Sequence, residues 1–377
     1  MKYLVNIVVM LLLAQACAYA QSDDYSIDWM RDEISGAGGS ESPAAMPAGD
    51  SRLGWVDYKY VNTVTPDAPW HRTSKGIFVV DSGDRIRSFD TFAGSDAAAR
   101  GYAGAVNRYH ELFGDRVTIW VMPIITASSY YTPDEAMHFV RPVNSFLKAM
   151  YDALDPSVRF IDLYPVLAAH VSEPVYSRTD HHWAPLGAYY AARAFASLAG
   201  VPFPDLSHYD RHVVPDYVGT MAKFSGDPEL RRHPEDFVYY TPRDVNVKTT
   251  YITYTLDKAR RNVISAKGPE EGRFFLPFKG VSTYCTFMGG DQKITKVETS
   301  ADNGRRLLIL KDSFGNALPG YLFSSFEQIH VIDFRYFTKN MKEYVADNGI
   351  PDILFANNVT HAANSHTYNK YLKYLEQ

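Results

Sequence analysis

The chain has 377 residues, with 38 Lys and Arg against 43 Asp and Glu and a formal charge of −5. No basic run interrupts it, which excludes the electrostatic footprint of a nucleic-acid partner. Aromatic residues make up 14% of the chain and 27 residues are Tyr, a composition that suits stacking on sugar rings and equally a Tyr-rich core.

Residues 1–20, MKYLVNIVVMLLLAQACAYA, place Lys2 ahead of an apolar run from Ile7 to Leu13 and end on the small residues Ala18 and Ala20. This is the pattern of a cleaved signal peptide, and it predicts a periplasmic or secreted protein. The apolar run is far shorter than the ~20 residues a membrane span needs. Cys17 raises the alternative of a lipoprotein, but Ala14 stands where a lipid-attachment signal usually has Leu. Without the leader Cys285 is the only cysteine, so no intramolecular disulfide is expected and the core must hold the fold. Residues 21–55 read as a flexible linker, because their Gly, Ser, Ala and Pro cannot bury enough apolar surface to fold.

From residue 56 to 377 the pattern is that of one domain in which strand-like and helix-like segments alternate. GIFVVDSGDRIRSF (76–89) predicts a hairpin. Residues 95–114 predict a helix with Ser95 as N-cap and Gly114 past its end. RVTIWVMPI (116–124) and VRFIDL (158–163) read as buried strands, and Thr132, Pro133 and Glu135 between them as the capped start of a second helix. Residues 201–300 are β-rich and polar and are taken as an insertion. The alternation then returns with strands at 305–311, 328–333 and 352–358, and there are no internal repeats. Such an order predicts an α/β sheet covered by helices.

Two segments carry chemistry. In TDHHW (179–183) the following Pro185 favours an extended chain, in which Asp180 and His182 project to one side and His181 to the other. A carboxylate so placed can fix the tautomer of an imidazole. Two other readings stand beside this one: Asp180 as a helix cap with His182 packing, and a zinc site on Asp180, His181 and His182. The i, i+4 His pair of a helical metal site is absent. Downstream, LLILKDSFGNALPGYL puts Asp312 and Ser313 between a hydrophobic strand and a helix-like segment, where a serine hydroxyl is exposed and backbone N–H groups can face an oxyanion. Lys311 is expected to be a solvated flank.

With TDHHW, the GGD of 289–291 and KDSFGN, the chain resembles the bacterial DHHW family and, more distantly, the alginate O-acetylation proteins of the SGNH hydrolase superfamily. The resemblance implies a flavodoxin-like three-layer α/β/α sandwich with permuted motif order and a β-rich insertion. It implies Ser313 as nucleophile, His182 as general base and Asp180 as orienter, moving acetyl groups on a polysaccharide as an acyltransferase or esterase without metal or organic cofactor. Polysaccharide or oligosaccharide is the implied substrate, with a membrane-bound protein as a candidate acyl donor. The Gly-x-Asn-Asp wording of SGNH esterases is missing, so Asn357 and Asn358 are the oxyanion candidates, with Trp183, Arg335 and Tyr336 as further cleft candidates. A non-catalytic glycan-binding or export and assembly protein on the same fold is the alternative.

Overall fold

The computed structural model describes residues 66–377 apart from 84, 260 and 261; the expected leader and linker lie outside these residues. A small antiparallel sheet comes first, from β1 (Trp70–Arg72), β2 (Phe78–Asp81) and β3 (Ile86–Phe89), the last two forming the expected hairpin.

The main sheet has eight strands in the order β5-β4-β13-β11-β12-β10-β8-β9. Its parallel half comprises β5 (Arg159–Phe160), β4 (Thr118–Val121), β13 (Asp352–Ala356), β11 (Arg306–Lys311) and β12 (Gln328–Asp333). If the chain were counted from β11, with β4 and β5 following β13, these strands would run 2-1-3-4-5, the order of a flavodoxin-like sheet. The fold is therefore the expected three-layer α/β/α sandwich with its motif order permuted. Burial explains the sequence of these strands: Leu307, Leu308, Ile309 and Leu310 of β11 are all fully buried, as strands covered on both faces must be.

Helix α1 (Asp96–Phe113) packs against α2 (Val143–Ala153) and the C-terminal α5 (Ser365–Glu376), and Tyr102 and Tyr109 of α1 meet Phe355 of β13 edge to face. Helix α3 (Pro185–Ala199) sets Phe195 against Trp120 of β4. Its ends follow the sequence, with Pro185 in the first turn and Gly200 left-handed at φ 64°. A shorter helix, α4 (Met341–Asp347), precedes β13.

The expected second helix differs from the prediction. Thr132 does not cap it; its hydroxyl donates to the Ser128 carbonyl, and residues Asp134–Phe139 form a 3-10 turn. Pro142 keeps Arg141 out of the helical region, so the helix starts only at Val143.

The β-rich segment after residue 200 is divided between two sheets. Strands β6 (Tyr209–Tyr217) and β7 (Glu235–Pro242) form a separate ribbon, whereas β8 (Val247–Leu256), β9 (Val263–Gly272) and β10 (Lys293–Thr299) extend the main sheet antiparallel beyond β12. Cys285 is fully buried. Among the described residues no helix is long and apolar enough to cross a membrane.

Candidate active site

Strand β11 lies between β13 and β12, both later in the chain, so the connections diverge at its carboxyl end and leave a crevice there. The residues after β11 form a 3-10 turn, Ser313–Ala317, rather than the α-helix start suggested by the sequence; Pro319 and a second short turn, Pro319–Tyr321, follow at once. Asp312 caps the turn, accepting from the Phe314 N–H at 3.0 Å. Gly315 is required here, because a Cβ at this position would lie 2.5 Å from the Lys311 Cβ.

The segment before α3 reaches this crevice. His182 Nδ1 lies 2.6 Å from Asp180 Oδ1, and His182 Nε2 lies 2.9 Å from Ser313 Oγ. An ionised Asp180 can only accept, so Nδ1 carries the imidazole proton and Nε2 accepts from the serine hydroxyl. All three residues are buried, Ser313 being the most exposed at 6%.

Asp180 is held by more than His182. Its Oδ2 accepts the Thr220 N–H at 2.8 Å and the Thr220 hydroxyl at 2.9 Å, and its Oδ1 also accepts the His182 backbone N–H at 3.1 Å. Burial works against its charge, but His181 and His182 beside it, with the hydrogen bonds from His182 and Thr220, hold the carboxyl well below the usual range. One level further out, Glu235 of β7 accepts from the Ser177 and Thr179 hydroxyls and from the Arg178 and Thr179 amides, which fixes the loop carrying Asp180.

His181 does not point away. Residues 178–182 form a series of bends, so the alternation of an extended chain does not apply, and the His181 ring lies 3.7 Å from that of His182. Its Nδ1 donates to Thr220 Oγ1 at 2.6 Å, and burial lowers its pKa well below the ordinary value. The ligand atoms of Asp180, His181 and His182 are close enough together for a metal ion. Those donors are already committed: both Asp180 oxygens, His181 Nδ1 and both His182 nitrogens make the hydrogen bonds just described, and the set does not fit a cation.

The remaining sequence candidates have other tasks. Asn357 accepts from the hydroxyls of Tyr102 and Tyr371, each at 2.7 Å, and its amide faces Asp312 at 3.3 Å. Asn358 donates its backbone N–H to Asp312 at 2.8 Å and uses its side chain to cap a short helix at His361. Both asparagines thus secure Asp312, and neither amide is aimed at Ser313 as an oxyanion donor. Trp183 is fully buried and ties down the nucleophile turn, its Nε1 donating to the Phe314 carbonyl at 2.8 Å. Arg335 binds both oxygens of Asp333 at 2.7 Å and reaches Asp291 at 3.1 Å, with its guanidinium 5.2 Å from the Tyr336 ring.

Lys311 is not a solvated flank. It is 2% exposed and bridges Asp291 and Asp333 at 2.9 Å each. Asp291, from the GGD segment, also accepts from Asn316 of the nucleophile turn at 2.7 Å. Two carboxyls thus face Lys311 and Arg335 in a buried cluster joined to the nucleophile turn through Asn316; burial pushes the Asp333 carboxyl up to about 8, whereas Lys311 and its hydrogen bonds hold Asp291 below the usual range against the effect of burial. Thr220, Glu235 and Asp291, together with Tyr284, whose ring stacks on His182, all lie in the region read as an insertion. Only GGD gave a signal for any of them.

A hydroxyl, an imidazole and a carboxylate converge at the carboxyl edge of a permuted 2-1-3-4-5 sheet, so the molecule is a flavodoxin-like α/β protein with its polar groups gathered at the topological switch point. More narrowly, the chain belongs to the DHHW family: the family model described as DHHW protein matches residues 60–332. A DHHW family protein from Eubacterium siraeum DSM 15702 is 35% identical, with a TM-score of 0.73 over 80% of this chain and 96% of that one. Bacillus cereus PatB1, solved with a sulfonyl adduct, shares the fold at 17% identity and a TM-score of 0.58, covering 81% of this chain and 98% of its own. The O-acetyltransferase domain of Pseudomonas putida AlgJ is 13% identical, with a TM-score of 0.43 over 81% of this chain and 99% of that one. No curated protein matches the chain.

Proposed function

We propose that this protein is an extracytoplasmic serine acyltransferase or esterase that moves O-acetyl groups on a polysaccharide. The observation that carries the reading is the continuous path from Asp180 through His182 to Ser313, at 2.6 and 2.9 Å. The order of its motifs, Asp-x-His before Ser, supports it as well, being that of the O-acetylation proteins the sequence resembles.

In this reading His182 Nε2 takes the Ser313 proton as Oγ attacks the acyl carbonyl, and Asp180 stabilises the imidazolium that forms. The Ser313 backbone N–H, at the first position of its turn, is a donor for the developing oxyanion. Collapse of the tetrahedral intermediate expels the donor's alcohol, which leaves with the proton from His182, and Ser313 holds the acyl group. A sugar hydroxyl or water then loses its proton to His182, attacks the acyl-enzyme and regenerates Ser313. A dry acceptor groove would favour the sugar and an open one water. The roles of Asp180, His182 and Ser313 use no metal or organic cofactor.

Intact-mass spectrometry after incubation with p-nitrophenyl acetate tests the nucleophile. An acetyl adduct on Ser313 that is lost in folded Ser313→Ala is expected. Equal labelling of both proteins, or of neither, would remove the enzyme reading and leave glycan binding on the same fold as the better account. The PatB1 adduct makes phenylmethylsulfonyl fluoride a second probe, with Ser313 the expected target.

A further inference from the structure

The Tyr284 ring lies parallel to the His182 imidazole, with centroids 3.8 Å apart and planes within 7°. Tyr284 is 1% exposed and sits in the 3-10 turn Gly280–Thr286, in a part of the chain the sequence gives no reason to join to the site. Its hydroxyl donates to the Phe314 carbonyl at 2.8 Å, the same oxygen that Trp183 holds. One side chain therefore covers a face of the base and grips the residue next to the nucleophile.

We propose that Tyr284 is a positioning residue that stabilises the cationic form of His182 through its π face while locking the Ser313 turn at the distance proton transfer needs. The inference rests on the catalytic reading above for its purpose, though its physical content does not. A cation over an aromatic face is favoured by the ring quadrupole, and the effect is larger where water is excluded, as it is around His182. Neutral imidazole gains much less, so the stack favours the state that arises when Ser313 gives up its proton.

The titratable and polar groups around His182 come from several elements. Asp180 and His181 lie on its own segment, Thr220 and Tyr217 beside Asp180, Asp291 on the turn before β10, Asp312 and Ser313 after β11, and His361 after β13. Tyr284 differs from them in stacking parallel on the ring, within 7° at 3.8 Å, whereas His181 lies against it tilted by 38° and Phe314 by 57°. Its loss has two opposed effects, which makes the sign of the result informative. If Tyr284 acts on the cation, replacing it with an aliphatic side chain lowers the pKa of His182. If it only excludes water, the replacement admits water and raises that pKa.

The experiment is an NMR titration of histidine-labelled protein, with His182 assigned through His182→Gln, in wild type, Tyr284→Phe, Tyr284→Leu and Tyr284→Met. Tyr284→Phe keeps the ring, and its His182 pKa should match wild type while the rate of Ser313 sulfonylation falls, because the bond to Phe314 is gone. The Leu and Met variants should lower the His182 pKa by about half a unit or more. Met fills the site closely enough to serve if Leu disturbs folding, and Phe against wild type tests the grip on Phe314 independently. An unchanged or raised His182 pKa in the aliphatic variants overturns the proposal. Absence of Ser313 labelling in wild type would instead sink the catalytic reading, and the titration would still decide whether Tyr284 supports the cation.

Discussion

Asp180 accepts four hydrogen bonds, two from His182 and two from Thr220, and is fully enclosed. Burial alone would raise its pKa, but the neighbouring histidines and these bonds depress it. The native state thus releases the Asp180 proton more readily than the unfolded chain does. The stability this contributes is fully present above the unfolded carboxyl value of about 4 and is lost as the pH falls below it toward the folded value. Urea unfolding of wild type and Asp180→Asn at a series of acidic pH values is the check: the variant should show a shallower decline on the acid side, and parallel declines would refute the account. Asp180 and His182 were legible as a pair in the sequence, although the extended chain from which their meeting was read is in fact a series of bends. Lys311 was misread, since its partners Asp291 and Asp333 are brought to it by other segments and a lysine ending a strand otherwise looks solvated.

At the scale of elements, the site depends on the close approach of two loops. Gly219 lies against Asp180 so tightly that an added Cβ would fall 2.4 Å from the Asp180 Cβ. Its N–H donates to the Thr179 hydroxyl, and the next residue supplies the donors to Asp180. Gly219→Ala must push these loops apart, so it should slow Ser313 acylation at least tenfold and destabilise the protein by about 1–3 kcal/mol, the range for overpacking. Labelling kinetics beside a denaturant titration measure both, and wild-type kinetics would show that the contact is dispensable. The strands and helices α1 and α3 were readable because periodicity, caps and stop residues agree in them. The helix expected from residue 132 was displaced because one proline outweighed a capping pattern, and the turn after Ser313 tightened to 3-10 geometry ahead of Pro319.

At the scale of the molecule, the parallel half of the main sheet carries the site and the antiparallel half widens it on one side only. Strands β11 and β13 are covered on both faces, whereas β9 is an edge strand exposed along nearly its whole length and bears Lys267, Glu270 and Glu271. Charged side chains on such an edge discourage pairing with another chain. Hydrogen exchange should therefore be slowest in peptides covering 306–311 and 352–356 and fastest, among strands, in 263–272. Comparable protection of β9 would mean that something covers this edge in solution. The α/β class was legible from the alternation of segments, but the membership of β8 to β10 in the main sheet was not, because polar antiparallel strands with one wet face carry no mark of which sheet they join.

The permuted strand order also has a consequence for the birth of the protein. Synthesis delivers β4 and β5 early, but β13, the inner neighbour of β4, and β11, which completes the centre beside it, emerge only near the end of the chain. Until then β4 lacks its inner neighbour and His182 lacks its serine, which is 131 residues away in the chain. The sheet can close only when almost the whole polypeptide is available, so folding should be a late, largely all-or-none event rather than a stepwise one along the emerging chain. A translation product truncated before residue 306 would have no centre to its sheet and would depend on chaperones to stay soluble.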